Sequence, residues 1–470
     1  MVASTIGDRL STPPSFFRRR RRLLIVLGAA ALVLVLAALG AYLYVHGHEP
    51  GDVYNSTVEF KNERPEQPVR THQEAAFVWP DYGYTKSRRR YLPTSADLRP
   101  PFRTVWAMQT KDLVEFPPVM AGGRLFLLKN NGTLWAIGAN NGHRVWQRKV
   151  GAQAAASPSV ANGVVYAVVL KRLHRVPAGR VAAYTQRRGR VLWSRPLRSR
   201  SESSPLYANG MLYFGSEDGT VYGLNARNGH VRWTYRAPGA VKGGLALSNG
   251  ILYFGDYSGH VQAVRASNGH KVWSAKTSGA KFGFESGQFY STPAVAFGRV
   301  YLGNTDGFVY SFATTTGKLA WSKKTSNYVY ASPAVADIPH YGPTVYIGSY
   351  DGHFYALDAR SGRVRWQRNA GGKISGSATI IGNIVYFANL AARTTIGLAV
   401  RSGAPVFKFP HGGFNPVISD GSKLYLTGYS SLYGLVPKTA EQRAAARRRI
   451  RAQRQRERSQ KRQQRRRGQH

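Results

Sequence analysis

The chain has no cysteine among its 470 residues. That excludes a thiolate nucleophile, a disulfide framework and thiolate metal ligands together. The patterns G-x-S-x-G, H-E-x-x-H and the phosphate-cradling P-loop are all absent. The side chains that could still do chemistry recur at one register. Glu115, Glu202, Lys242, Tyr290 and Tyr330 each stand three residues before the S-P-x-V-like start of a repeated strand, at Pro118, Pro205, Leu245, Pro293 and Pro333. Ala155, Ser375 and Gly413 hold the same register before Pro158, Ala378 and Pro416. If the repeats close into a ring, two carboxylates, one ammonium and two phenols converge on a single opening. Such a set can pair ions, exchange hydrogen bonds and pack on a ligand. The plainer alternative is a water-filled channel lined by polar groups.

Other candidates have structural explanations. Asp218-Gly219, Asp306-Gly307 and Asp351-Gly352 could supply metal-loop oxygens, but no acidic residues follow at the spacing of a calcium loop. Two-residue type I′ hairpins account for them, with positive φ expected at both central positions, and Asn228-Gly229 reads the same way. His143, His230 and His270 each follow an Asn-Gly turn in a different repeat, which separates them around a ring. No metal ligand set is expected.

The elements that must position the opening follow from a period. Tryptophans fall at Trp106, Trp146, Trp193, Trp233, Trp273, Trp321 and Trp366, with Phe407 in the eighth place, so seven of the nine tryptophans share one register. The clearest unit, SSPLYANGMLYFGSEDGTVYGLNARNGHVRW (203–233), reads as three short strands separated by turns and a fourth strand bearing the tryptophan. Fifty glycines and an aromatic share of 12% suit such a turn-rich, packed architecture. The spacing predicts an all-β, eight-bladed β-propeller. The last unit lacks its own fourth strand and the first tryptophan strand (103–106) has no partners before it. The N-terminal strand is therefore expected to complete the last blade and remove two open edges.

The units resemble the tryptophan-docking repeat A-x-D-x-x-[ST]-G-K-x-x-W of the quinoprotein (PQQ-repeat) propellers. Residues 356–366 (ALDARSGRVRW) and 316–321 (TGKLAW) carry that resemblance, and the leader Trp79-Pro80-Asp81-Tyr82-Gly83, with Arg88 and Trp106, resembles the W-x-x-Y-G start of such propellers. It covers roughly residues 79–436. It implies that the seven tryptophans are structural, each docking on a neighbouring blade. The family has an enzymatic branch that binds pyrroloquinoline quinone (PQQ) and Ca²⁺ in the channel, in many members beneath two adjacent cysteines and with an acidic and asparagine calcium set. Its other branch is non-enzymatic scaffolds similar to the outer-membrane assembly lipoprotein. Without cysteine and without a calcium set that maps onto it, this chain is expected to carry no cofactor and to follow the scaffold branch.

Charge and hydropathy divide the rest. Lys and Arg total 66 against 23 Asp and Glu, a net +43, which favours polyanionic partners. Residues 1–22 read as a basic cytoplasmic N-terminus, and 23–45 is an uncharged run of 23 residues. As a helix that run spans about 34 Å, enough for a bilayer core of about 30 Å. Arg18 to Arg22 precede it and no Lys or Arg follows until Lys61, so a signal anchor with the propeller outside is expected. A cleaved signal peptide is the competing reading. Residues 46–100 read as a Pro-punctuated stalk and leader, 101–436 as the propeller, and 437–470 as an Arg-rich solvated tail, helical at most in part. The expected function is a non-enzymatic scaffold of a bacterial cell envelope, with envelope proteins as partners and the tail reaching anionic polymers or lipids. A PQQ-dependent oxidoreductase and a polyanion or nucleic-acid binder acting through the tail are the alternatives, nucleic acid being disfavoured by the anchor.

Overall fold

Three almost wholly buried strands and one largely exposed outer strand build a typical blade. In the blade of residues 206–236, strands Leu206–Ala208, Met211–Gly215 and Thr220–Asn225 are almost wholly buried, whereas Val231–Arg236 buries chiefly Trp233. Inner strands pack between neighbouring blades and read as continuous apolar runs, and the outer strand faces water. The computed structural model describes residues 15–47, 51–63, 77–94, 98–171, 178–277, 287–414 and 417–467. Pro416, and the linker marks Pro50, Pro65 and Pro68, lie outside these.

Two units are distinguished, 1–51 and 52–470. The first holds helix α1 (Ser15–Gly47), whose stretch Leu23–Gly40 is long and apolar enough to cross a membrane. The second is an eight-bladed propeller. Blades one to seven are continuous in sequence, at 119–149, 159–196, 206–236, 246–276, 294–324, 334–369 and 379–409. Blade eight joins Val417–Ser419, Leu424–Thr427 and Ser431–Pro437 to Phe102–Gln109, which pairs antiparallel with Ser431–Pro437. The N-terminal strand thus closes the ring, as its missing partners implied.

Strand alternation gives the ring two faces. The chain enters each innermost strand on one face, where the turns between second and third strands also lie. The opposite face carries the hairpins between first and second strands and the turns between third and fourth.

Three expectations need correction. The Asp-Gly turns place only glycine at positive φ (Gly219 +85°, Gly307 +86°, Gly352 +84°). Each aspartate instead accepts the backbone N–H two residues on, from Thr220, Phe308 and His353 at 2.8–3.0 Å. Consecutive positive φ belongs to the Asn-Gly hairpins after the first strands, as at Asn209 (+48°) and Gly210 (+77°), while at Asn228-Gly229 only the glycine has it.

Second, much of the stretch expected to be a stalk is bound to the ring. Val53–Tyr54 adds a fifth strand to blade five against Trp321 and Ser322, and Phe60 stacks on Phe297. Residues 79–92 cross the channel. Trp79 pairs with Met120 of blade one. The carbonyls of Pro80, Lys86, Ser87, Arg89 and Arg90 accept from Val160, Leu247, Val295, Val335 and Ile380, one innermost strand each, at 2.8–2.9 Å. A segment bonded to so many channel-lining strands closes that end of the channel, so we call this side the plug face and the other the mouth face. Trp79, Arg88 and Arg90 are buried in it.

Third, the tail forms a continuous helix, α2 (Ala440–Arg467). Thr439 and Gln442 make a reciprocal capping box at 3.1–3.2 Å, and its Ala, Arg, Gln and Glu residues are strong helix formers.

Candidate functional site at the channel mouth

The mouth is built by the segments that lead into the innermost strands. From blade one to blade seven, each is held to the next through hydroxyls. Backbone N–H groups of Ser157, Gly244, Thr292 and Ser332 donate to the hydroxyls of Ser204, Thr292, Ser332 and Ser377 at 2.7–3.0 Å. This belt fixes the register of the residues above it.

Of the five positions singled out by sequence, four are in contact and Glu115 stands apart. Lys242 Nζ lies 2.6 Å from Glu202 Oε1, and the Tyr290 hydroxyl donates to Glu202 Oε2 at 2.9 Å. Tyr330 meets the edge of Tyr290 with ring centroids 5.9 Å apart. Glu115 is set to one side, where its Oε2 accepts from Asn130 Nδ2 at 3.0 Å. Burial raises its pKa above the ordinary carboxylate value, and the nearby Glu202 charge adds to the rise against the opposing effects of Asn130 and Lys242. Ala155 and Gly413 bring no functional group, and Ser375 accepts a long hydrogen bond from the Tyr350 hydroxyl at 3.4 Å.

A second set of residues completes the site and was missed by sequence. Glu217 Oε1 lies 3.3 Å from Lys242 Nζ, and Arg200 Nε lies 3.3 Å from Glu217 Oε2. Tyr257 contacts Tyr290 (6.2 Å), and Tyr350 contacts Tyr330 (4.8 Å) and the exposed Tyr328 (6.5 Å). The five tyrosines form an unbroken arc from blade four to blade six. Glu217, Tyr257 and Tyr350 all stand two residues after the glycine that ends a second strand (Gly215, Gly255, Gly348), so a second repeat register would have found them.

Lys242 is the electrostatic centre. Burial pulls its pKa down, but hydrogen bonding and charge from Glu202, then Glu217, carry it above the ordinary lysine value. The phenols of Tyr257 and Tyr290 are pushed up, first by burial and then by Glu202, and stay protonated as donors. Phe116, Glu202, Lys242, Tyr290 and Tyr330 surround a cavity of about 30 Å³. That holds a water and falls far short of the roughly 300 Å³ of a small-molecule site.

The donor chemistry does not fit PQQ with Ca²⁺. There is no cysteine in the chain. Among the described residues no three His, Asp or Glu side chains gather as a metal site. Where two carboxylates do approach, at Glu202 and Glu217, the Lys242 ammonium stands between them in the place a cation would take.

Comparison with known proteins agrees with this architecture. The family model described as outer membrane protein assembly factor BamB matches residues 103–176, 171–286 and 239–443. No curated protein matches the sequence significantly. Among solved structures, BamB from Moraxella catarrhalis is 18% identical with a TM-score of 0.56, over 71% of this chain and 99% of that one. The quinohemoprotein alcohol dehydrogenase ADHIIG from Pseudomonas putida HK5 is 14% identical with a TM-score of 0.65, over 78% and 82%. The computationally designed Ika8 protein is 14% identical with a TM-score of 0.58, over 73% and 100%. At these identities an alcohol dehydrogenase, BamB and a designed protein share one fold, and the likeness speaks to fold alone. With the ring, the docking tryptophans and a family model spanning blades one to eight, the chain belongs to the PQQ-repeat propellers of the outer membrane protein assembly factor BamB family.

Proposed function

We propose that the protein is a membrane-anchored, extracytoplasmic scaffold of the cell envelope that holds a protein partner at its channel mouth and catalyses no reaction. The observation that carries this reading is Lys242 bridging Glu202 and Glu217 beneath an arc of five tyrosines. The internal ion pairs consume the charges that a catalytic site would direct at substrate. The tyrosines offer rigid, amphipathic contact area of the kind that dominates protein interfaces. BamB-family membership supports an envelope role, and the apolar stretch Leu23–Gly40 supports an anchor. The arginines before that stretch favour an orientation with the propeller outside.

The test is a photo-crosslinking residue at Tyr328 or Tyr350, used in intact membranes. The expected result is a discrete protein adduct that is lost when Tyr330 and Tyr290 are both changed to alanine. A quinone absorption spectrum on adding PQQ and Ca²⁺, with dye-linked alcohol oxidation, would overturn the non-enzymatic reading. Protease added outside intact cells should digest α2. Protection of α2 would refute the placement.

A further inference from the structure

Both faces carry exposed cations, Lys149, Arg198, Lys276 and Lys373 among those on the mouth face, but their turns differ in carboxylates. The acidic residues of the inter-strand turns concentrate on the mouth face, as Glu217, Asp218, Asp256, Asp306 and Asp351. The turns between third and fourth strands, on the plug face, are basic instead. Blade two carries Arg187, Arg188 and Arg190, and blades three to five add Arg227, Arg265 and Lys318. Arg363 and Arg401 continue the ring through blades six and seven. All eight are exposed, and none forms an ion pair among the described residues. Carboxylates on that face are committed elsewhere: Glu59 to Lys61, Glu63 to Arg89, Asp358 to Arg365, and Asp420 to the Tyr425 hydroxyl. Asp337 likewise faces Arg365.

The blade-two turn is also held rigidly. Trp146 Nε1 donates to Gln186 O at 3.1 Å. Arg124 donates to the Arg187 carbonyl at 2.8 Å, and Arg148 to those of Gly189 and Arg188 at 2.9 and 3.1 Å. Two further guanidinium groups therefore clip a turn that already projects three. Five arginines meet at one corner of the ring.

We propose that the plug face is a docking surface for anionic phospholipid headgroups, centred on residues 185–190. The occupant follows from geometry. The cations lie around the rim of one face of a closed ring, so they can address a sheet of phosphates together. A linear polymer would meet only those on its path. Each arginine at an anionic membrane surface strengthens association by about fivefold, and the effect fades within a Debye length. This rests on the membrane reading above, but its test reads the face by itself.

The cysteine-free chain makes single labels unique. The full-length protein carrying Ser267→Cys, in a plug-face turn, or Ser326→Cys, on the mouth face, is labelled with a fluorophore. It is mixed with phosphatidylcholine vesicles that contain a headgroup quencher, with or without about 30% phosphatidylglycerol. Retention on vesicles without phosphatidylglycerol reports on the anchor. The plug face predicts that phosphatidylglycerol raises quenching at position 267 at least about twofold, leaves position 326 unchanged, and loses this effect at high salt. Replacing Arg187, Arg188 and Arg190 by glutamine should abolish most of the gain while the melting temperature holds. Equal quenching at both labels, or a gain that survives the triple substitution, would overturn the proposal. So would shielding of position 267 by a soluble polyphosphate chain with no response to phosphatidylglycerol.

Discussion

Glu115 sits at the mouth with its pKa raised, chiefly by burial. A carboxyl whose pKa is higher folded than unfolded favours the folded state while protonated. That contribution is present below its ordinary value of 4.5 and is lost as pH rises through the folded value. Glu115→Gln keeps an acceptor for Asn130 and removes the charge. The variant should therefore melt higher than the parent at pH 7 and coincide with it near pH 4, and a parent more stable at both would refute the assignment. Lys242 has a raised pKa too, with the consequence at the alkaline end. Its stabilisation is complete below the ordinary lysine value of 10.5 and disappears as pH rises through the higher folded value. Lys242→Met leaves Glu202 and Glu217 without the cation between them and should cost about 2–4 kcal/mol at neutral pH. Restoring most of that loss by adding Glu202→Gln would show that the penalty is the uncompensated charge. The convergence of Glu202, Lys242 and Tyr290 was legible because they share one register of a repeat. Glu217, Tyr257 and Tyr350 belong to a second register, in the turns between second and third strands, which reaches the mouth only once the ring is closed, and Tyr328 belongs to neither register.

The blade is held to its neighbour by one repeated joint. Each of the seven tryptophans in the repeat register donates its Nε1 to a carbonyl of the following blade's turn, from Trp106 to Ala139 O at 2.9 Å round to Trp366 to Val400 O at 2.9 Å. The ring lies against that turn's glycine. A Cβ on Gly229 would come 2.5 Å from the Trp193 ring, at a φ of +71°. Gly210 has a similar φ of +77° but open space where its Cβ would point. Gly210→Ala should therefore cost about 1 kcal/mol from backbone strain alone, whereas Gly229→Ala adds displacement of an indole and should cost about 3 kcal/mol or more. Chemical denaturation distinguishes them, and equal losses would mean that the docking contact yields freely. The tryptophan register, the four-strand unit and the number of blades could be read from sequence because each repeats. The plug could not. Its residues 79–92 occur once, and their partners are the innermost strands of many blades, so no period announces them. The turn chemistry misled for a related reason: Asp-Gly suits a type I′ hairpin, but an aspartate that caps its own turn satisfies the backbone with only the glycine left-handed.

At the scale of the ring, closure decides stability. Blade eight owns three strands, and Phe102–Gln109 supplies the fourth from more than three hundred residues away in sequence. That strand also carries Trp106, whose indole joins blade eight to the blade-one turn at Gly142. Removing it exposes the edge of Ser431–Pro437 and undocks one joint, so both neighbours of the gap lose contacts. Loss of the buried indole alone is worth about 3–5 kcal/mol. Deleting residues 102–109 should therefore lower the melting temperature by at least about 5 °C and broaden the transition, because an opened ring can fray from blade eight. Deleting α2 instead, which contributes neither strand nor joint, should leave the transition within about 1 °C. A peptide of residues 100–110 added in trans should restore part of the loss, since closure needs the strand and not its covalent link to the plug. A deletion mutant that melts as sharply and as high as the parent would show that seven blades and a remnant hold the ring without closure.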